Sequence, residues 1–560
     1  MIPPAPRAHL ALLLLAGLAA YHNSFAGVFV DDDFTSIVRN PHVRRLWPLW
    51  EAVAAPLETT SSGRPLVGLS VAMNYALGGL EPFGYHAVNL AIHLVAALAL
   101  YGLVRRTLLA PALRERWAAD ATPVALGTAL LWAVHPLHTG AVTFIIQRAE
   151  SMMGCCFLLT LYASCRSNES SAPARWRTLA VLACAAGMLS KEVMVGAPLL
   201  AAAHDRIFFF SDRRAAWTAK GRLHLALGAT WILLAACVAF QGRPESAGFG
   251  PELPSSWEYL RTQGGVIAHY LRMCFWPHPL IFHYEWPVAR TAGAILPGAA
   301  LVLALLGATA LAFARRPPAG FLGAWFFVIL APSSSVVPIY HIAAERRMYL
   351  PLAAVACAVV LTARRALAPR TQAALLTAAA LVLALLTVAR NEDYRTRYPL
   401  ERRDLAWPPA SASAWNAHGA WLARNGRLEE AISCYRKAEE LRPVSRTTHV
   451  NLASAWIKLG RLEEAEDSVQ RALLVDPLHP DVHYRLGVIR LRQGRLREAR
   501  ESFESALRAD PFEAGSELGI GMIDEVEGKP AEARERYRRS AAIPWDGREA
   551  ARARLERLGR

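Results

Sequence analysis

The stretch GRLEEAISCYRKAEELRP, residues 426–443, returns twice with the same punctuation: GRLEEAEDSVQRALLVDP at 460–477 and GRLREARESFESALRADP at 494–511. Gly426, Gly460, Gly494 and Gly528 stand 34 residues apart, and so do Ala431, Ala465, Ala499 and Ala533. An aromatic or apolar residue follows each alanine by four (Tyr435, Val469, Phe503, Tyr537), and Pro443, Pro477 and Pro511 close the first three units. Such a period predicts a helix–turn–helix unit. The glycine turns the chain, the alanine lets two helices approach, and each unit covers its apolar face only by stacking on the next.

The period, the A-x3-[FY] spacing and the closing proline are the signature of the tetratricopeptide repeat. An α-solenoid is therefore expected over 411–560, with repeats at about 412–445, 446–479, 480–513 and 514–547 and a final helix. In the fourth unit Ser540 takes a position that is alanine in the others.

Upstream the character of the chain changes. It has 560 residues, 54% of them hydrophobic, and a formal net charge of +15. The apolar residues concentrate before residue 390 and the charges after it, which predicts a membrane domain over 1–390, a linker over 391–410 and a soluble array. Seven of the eight cysteines lie in apolar stretches and the eighth, Cys434, in the first repeat; none has disulfide or metal spacing, so they read as small core residues. The arginines fall in short gaps between apolar runs, a pattern of membrane topology rather than of nucleic-acid binding.

The apolar runs are Leu10–Ala20, 84–104, 122–137, 140–165, 177–191, 193–210, 223–240, 292–314, 319–338, 348–363 and 372–389. Together they predict an all-α, polytopic bundle of about eleven spans, the first a signal anchor and several short against the roughly 20 residues a bilayer requires. Residues 23–83 form a long first loop. Every even-numbered gap is basic: Arg105, Arg106, Arg114 and Arg116; Arg166, Arg175 and Arg177; Arg213, Arg214, Lys220 and Arg222; Arg315 and Arg316; Arg364, Arg365 and Arg370. The positive-inside rule then puts the N-terminus in the cytoplasm and both the first loop and the repeats outside. Residues 264–277, apolar on one face but holding His269, Arg272 and Trp276, are expected to lie in the interface or to re-enter.

Polar residues gather on the outward side. Asp31, Asp32 and Asp33 open the first loop; adjacent carboxylates at a membrane edge suit a general base for a hydroxyl nucleophile or a divalent-metal site, and they also suit a solvated turn. Arg64 ends that loop. Tyr85, His86, Asn89 and His93 share one helix face. His135 and His138, Arg148 with Glu150, Lys191 with Glu192, and Glu345, Arg346 and Arg347 lie in other outward gaps. Lys191, Arg346 and Arg347 are cations on the side where the topological rule disfavours them, which suits a lipid phosphate whose sugar points outward. Local ion pairing, Lys191 with Glu192 and Arg346 with Glu345, is the plainer alternative.

In this order the pieces Asp32-Asp33-x-x-Ser36-Ile37-x-x-Asn40-Pro41, Arg64-Pro65-Leu66, Gly84-Tyr85-His86-x-x-Asn89-x-x-x-His93, His135-Pro136-Leu137-His138, Arg148-Ala149-Glu150, Ser190-Lys191-Glu192 and Glu345-Arg346-Arg347-x-Tyr349-Leu350-Pro351 resemble the transmembrane and tetratricopeptide-repeat O-mannosyltransferases. That family is of the GT-C class, whose donors are lipid-phosphate sugars. The resemblance covers nearly the whole chain. It implies an inverting glycosyltransferase whose catalytic base is a carboxylate of the first outward loop, here Asp32 or Asp33. Arg346, Arg347 or Lys191 would hold the donor phosphate, with Arg64, His86, His135, His138, Arg148, Glu192 and Glu345 as further candidates. No metal ligand set is implied and no cofactor is identified. The expected partners are a polyprenyl-phosphate-linked sugar, an exported protein held by the repeats, and the bilayer. Arg- and Ala-rich usage points to a bacterial cytoplasmic membrane. Two other readings stay open: a non-catalytic membrane scaffold, and the same enzyme acting on a glycolipid or polysaccharide.

Overall fold

The computed structural model describes residues 6–38, 40–53, 59–240, 253–396, 404–405, 412–543 and 547–559, and every regular element among them is helical. The chain divides into two compact units, Met1–Leu400 and Glu401–Arg560. Most of the expected linker 391–410 lies outside the described residues.

Helices longer than ten residues are numbered in chain order. The first unit holds α1 (Arg7–Tyr21), α2 (Pro65–Gly78), α3 (Pro82–Leu108), α4 (Ala121–Ala133), α5 (Arg148–Arg166), α6 (Pro173–Met188), α7 (Ala197–Phe208), α8 (Arg213–Ala229), α9 (Ser256–Phe275), α10 (Ala292–Arg315), α11 (Pro317–Leu330), α12 (Pro351–Ala366) and α13 (Pro369–Glu392). Nine of these thirteen begin with proline at the first or second position or carry a capping side chain, both of which suit the unbonded N–H groups of a first turn.

Among the described residues five apolar segments are long enough to cross a bilayer: Arg7–Ala26, Pro82–Leu108, Arg213–Ala239, Ala292–Arg315 and Pro369–Arg395. A sixth arises if Pro136–Val142 and Ile145–Arg166 count as one span bent by 97°. The expected eleven spans are thus not reached by length and hydropathy. Four of the runs form helices of only 12 to 16 residues, α6, α7, α11 and α12, and two more are broken. The runs 122–137 and 140–165 are cut by the His135-Pro136 break and by a turn at Ile145–Gln147, leaving α4 with 13 residues. The first loop is not plain loop either, because it contains the apolar, 14-residue α2. Of the segment 264–277, residues 264–275 belong to a longer helix, the 20-residue α9, capped at Ser255 by a reciprocal bond with Glu258. It crosses α10 in backbone contact: a Cβ on Gly298 would lie 2.4 Å from the Gly264 carbonyl carbon.

The unit has two distinct ends, joined by the 27-residue α3. At one, Ala112 N–H donates to Phe208 O, Arg364 pairs with Asp120 at 2.5 Å and Arg106 pairs with Glu169. This is the end of the basic gaps. At the other, Arg148 reaches the first turn of α3 and the outward polar motifs converge.

The second unit is a stack of helix pairs, α14 (Ala412–Arg424) through α21 (Pro530–Ala542), closed by α22 (Arg548–Gly559). Gly426, Gly460, Gly494 and Gly528 all have φ between +75° and +78°, a left-handed conformation that only glycine takes without strain, so the turn residue was legible from its period. Ala431, Ala465, Ala499 and Ala533 are fully buried. Ser540 is buried too, and its hydroxyl donates to the Ala514 carbonyl at 2.8 Å, which satisfies the polar group at a position of alanine.

Candidate functional site

The aspartate turn follows α1 after a short helical turn, His22–Ala26, and an extended segment. Asp31 takes φ +46°, a backbone state that aspartate tolerates better than most residues. The turn sends the three carboxyls in different directions. Asp33 is fully buried, and both its oxygens are used: Oδ2 accepts from Val30 N–H at 2.9 Å and Oδ1 from Ile146 N–H at 2.8 Å. Burial pushes its carboxyl well above the usual range, against the pull of those two bonds. Asp33 thereby fastens the first loop to the 145–147 turn.

Asp32 is only half-buried. Its Oδ2 accepts from the Thr60 hydroxyl at 3.0 Å, and Oδ1 has no hydrogen-bond partner among the described residues. Burial and then the Asp31 charge raise its carboxyl; Arg346, the Thr60 bond and His283 oppose them without cancelling them. Asp31 Oδ2 lies 3.0 Å from His283 Nε2. His283 comes from the segment between α9 and α10.

Arg346 sits in a short turn, Glu345–Met348, ahead of α12. It is half-buried, its charge acts on Asp32 and Glu150, and its guanidinium makes no hydrogen bond among the described residues. Its two neighbours are committed. Arg347 donates to Ile342 O at 2.8 Å, to Tyr259 Oη at 3.3 Å and to His341 O. Glu345 accepts from Ile281 N–H at 2.6 Å and Tyr284 Oη at 2.8 Å, so it holds the His283 segment. The expected local pairs do not form. Lys191 pairs instead with Glu150 at 2.5 Å, and Glu192 with Arg64 at 3.2 Å.

Asp32, Arg346, Glu150, Lys191, Glu192 and Arg64 therefore form a network of alternating sign at one end of the unit. The remaining candidates lie apart from it as struts. Arg148 is fully buried and donates to Asn89 at 2.8 Å, Asn74 at 2.6 Å and the Tyr85 carbonyl at 3.1 Å, tying α5 to α2 and α3. His86 Nε2 is 3.2 Å from Gly27 O. His135 accepts from Leu137 N–H at 3.2 Å and reaches Cys274 O at 3.2 Å. His138 is buried against His93, Trp132 and Tyr349, with ring centroids 5.4, 4.6 and 4.8 Å away.

Two residues of the site, Thr60 and His283, were missed in the sequence. Glu150 was named in its motif without a role, and its signal was an acid opening an apolar helix. Thr60 and His283 carry no signal of their own; only folding brings them to the aspartates. No group of three His, Cys, Asp or Glu residues with metal-binding geometry occurs among the described residues.

Fold and site together define a helical chain suited to a multi-pass membrane protein, with a charged cluster at one end and a repeat array as its second unit. Tetratricopeptide-repeat models match residues 412–445 and 450–514. The chain is homologous to the protein O-mannosyl-transferases of the TMTC group. It is 27% identical to Tmtc3 of Drosophila melanogaster, over 80% of this chain and 56% of that protein, and 27% identical to human TMTC1, over 80% and 57%. The chain thus spans little more than half the length of these relatives. The crystal structure of MamA aligns at 22% identity, covering 28% of this chain and 87% of MamA, with a TM-score of 0.23.

Proposed function

We propose that this chain is an inverting membrane glycosyltransferase that moves a sugar, mannose by homology, from a polyprenyl phosphate to a hydroxyl of an exported protein. The observation that carries the reading is the pair Asp32 and Arg346: a carboxylate with one open oxygen beside an arginine whose guanidinium has no hydrogen-bond partner among the described residues. Asp32 Oδ1 accepts the proton of the acceptor hydroxyl as that oxygen attacks the anomeric carbon. The bond from that carbon to the phosphate oxygen breaks, and the departing lipid phosphate gains charge that Arg346 and Lys191 balance. A single displacement inverts the anomeric centre. Asp33, with both oxygens engaged by backbone N–H groups, suits a structural role.

The proposed setting is a bacterial cytoplasmic membrane, with the site and the repeats outside. The homology supports a protein acceptor held by the repeats. Asp32→Asn in the purified full chain, assayed with polyprenyl-phosphate mannose and a threonine-rich peptide, should lower transfer ~10²–10⁴-fold while the protein stays folded, because an amide cannot take the proton. Asp33→Asn should instead lower stability by ~1–3 kcal/mol, since one backbone N–H loses its acceptor. Wild-type transfer by Asp32→Asn would overturn the assignment. Transfer to a glycolipid but to no peptide would move the acceptor class.

A further inference from the structure

Thr60 engages all three of its polar groups. Its hydroxyl donates to Asp32 Oδ2 at 3.0 Å, its N–H donates to the buried Ser36 Oγ at 3.0 Å, and its carbonyl accepts from Arg64 Nη1 at 2.9 Å. Ser36 lies four residues after Asp32, on the same segment. The Ser36 bond therefore fixes the Thr60 backbone against the element that carries the carboxylate, and the side-chain bond then fixes the carboxylate's rotation. The third bond ties the same residue to Arg64, whose Nη2 pairs with Glu192 at 3.2 Å.

We infer that Thr60 is a positioning residue for Asp32: it holds Oδ2, leaves Oδ1 facing the acceptor, and joins the base to the Arg64–Glu192 pair. The inference rests on Asp32 being the base. A carboxylate held at one oxygen has a single orientation in which to receive a proton, and a bond donated to it favours the ionised form. Asp31 and Asp33 flank Asp32 on its own segment, Arg346 faces it from the turn before α12, and His283 from the segment before α10. Exchanging the Thr60 hydroxyl for a methyl leaves all of these charges present.

The test is the pH profile of kcat/KM in the purified full chain, with polyprenyl-phosphate mannose and a threonine-rich peptide. Thr60→Val should move the acid limb up by about one pH unit, the size of a lost hydrogen bond to a charged group, and transfer should recover toward high pH. Thr60→Ser should restore the original limb. Thr60→Ala, which removes both hydroxyl and methyl, should show the same shift and serves if valine at this position fails to fold. A difference infrared titration gives a readout without substrate: the protonated-carboxyl band that Asp32→Asn deletes should titrate higher in Thr60→Val and Thr60→Ala. A uniform loss at every pH, or an unmoved limb and band in the folded variants, would overturn the inference. The control for the underlying reading is separate: Asp32→Asn that transfers at the wild-type rate defeats the base assignment, whereas an inactive Asp32→Asn beside an unshifted Thr60→Val defeats this inference alone.

Discussion

At the scale of residues, the separation of Arg346 from Arg347 is the sharpest division in the site. They are adjacent in sequence and equivalent by charge, yet the Arg347 guanidinium is bonded to two carbonyls and a tyrosine while that of Arg346 has no hydrogen bond among the described residues. Arg346→Ala should weaken binding of polyprenyl-phosphate mannose about 10–100-fold, the loss of one charge-assisted contact, measured by a quenching titration. Arg346→Lys should fall between, because an ammonium keeps the charge and loses the planar fork. Arg347→Ala should lower the thermal midpoint in detergent instead, since the His341 and Ile342 carbonyls and the Tyr259 hydroxyl each lose a bond to the guanidinium. The acid limb of the transfer profile should lie above the ordinary carboxylate range. Asp32 must be ionised to act, its carboxyl is raised, and activity is therefore lost as pH falls through that raised value. Sequence could point to the aspartate turn and the outward cations. It could not choose between Asp32 and Asp33, because the choice lies in who donates to them: Val30 and Ile146 on one side, Thr60 on the other. Nor could it separate Arg148, a strut among Asn74, Asn89 and Tyr85, from Arg346, whose guanidinium makes no hydrogen bond among the described residues.

At the scale of elements, legibility followed how local the cause was. The turn glycines of the repeats recur because each unit needs the same left-handed residue, so the period alone located them. Span boundaries were less legible, since hydropathy is indifferent to the break at His135-Pro136 and to the 97° bend that follows. The α9–α10 crossing was not legible at all: Gly264 and Gly298 are 34 residues apart and meet only in the folded unit, with room for no side chain between them. Gly298→Val should force the helices apart and lower the detergent thermal midpoint, because the atoms in the way are backbone. In the array, Ala465 is fully buried, and Ala465→Leu should overpack the second repeat at ~1–3 kcal/mol, read as an earlier melting transition by circular dichroism. If Ala465→Leu melts unchanged, the small-residue argument for the stack fails.

At the scale of the whole molecule, sidedness decides whether the reading holds. Of the residues counted as inside markers, Lys220 is spent on a buried pair with Asp205 at 3.0 Å, and Arg106 on Glu169, so neither is a free topological charge. Arg114, Arg116, Arg213, Arg214, Arg222, Arg315, Arg316 and Arg370 remain exposed and support a cytoplasmic end opposite the aspartate turn. Alkaline phosphatase fused after Arg390 should then be active and after Arg214 inactive; the reverse pattern would put Asp32 on the wrong side for an exported acceptor. Sidedness also bears on the repeats, which follow Arg390 in the chain and on the proposed topology lie outside as well. Covalent attachment to the membrane unit would raise the local concentration of any acceptor they hold, an effect that acts on acceptor capture and leaves the donor site untouched. Ending the chain at residue 410 should therefore preserve binding of polyprenyl-phosphate mannose while raising the acceptor concentration needed for half-maximal transfer, and short peptides at high concentration should be modified at close to the original rate. Transfer to full-length exported proteins that proceeds undiminished without the repeats would detach them from acceptor capture and make them an assembly module.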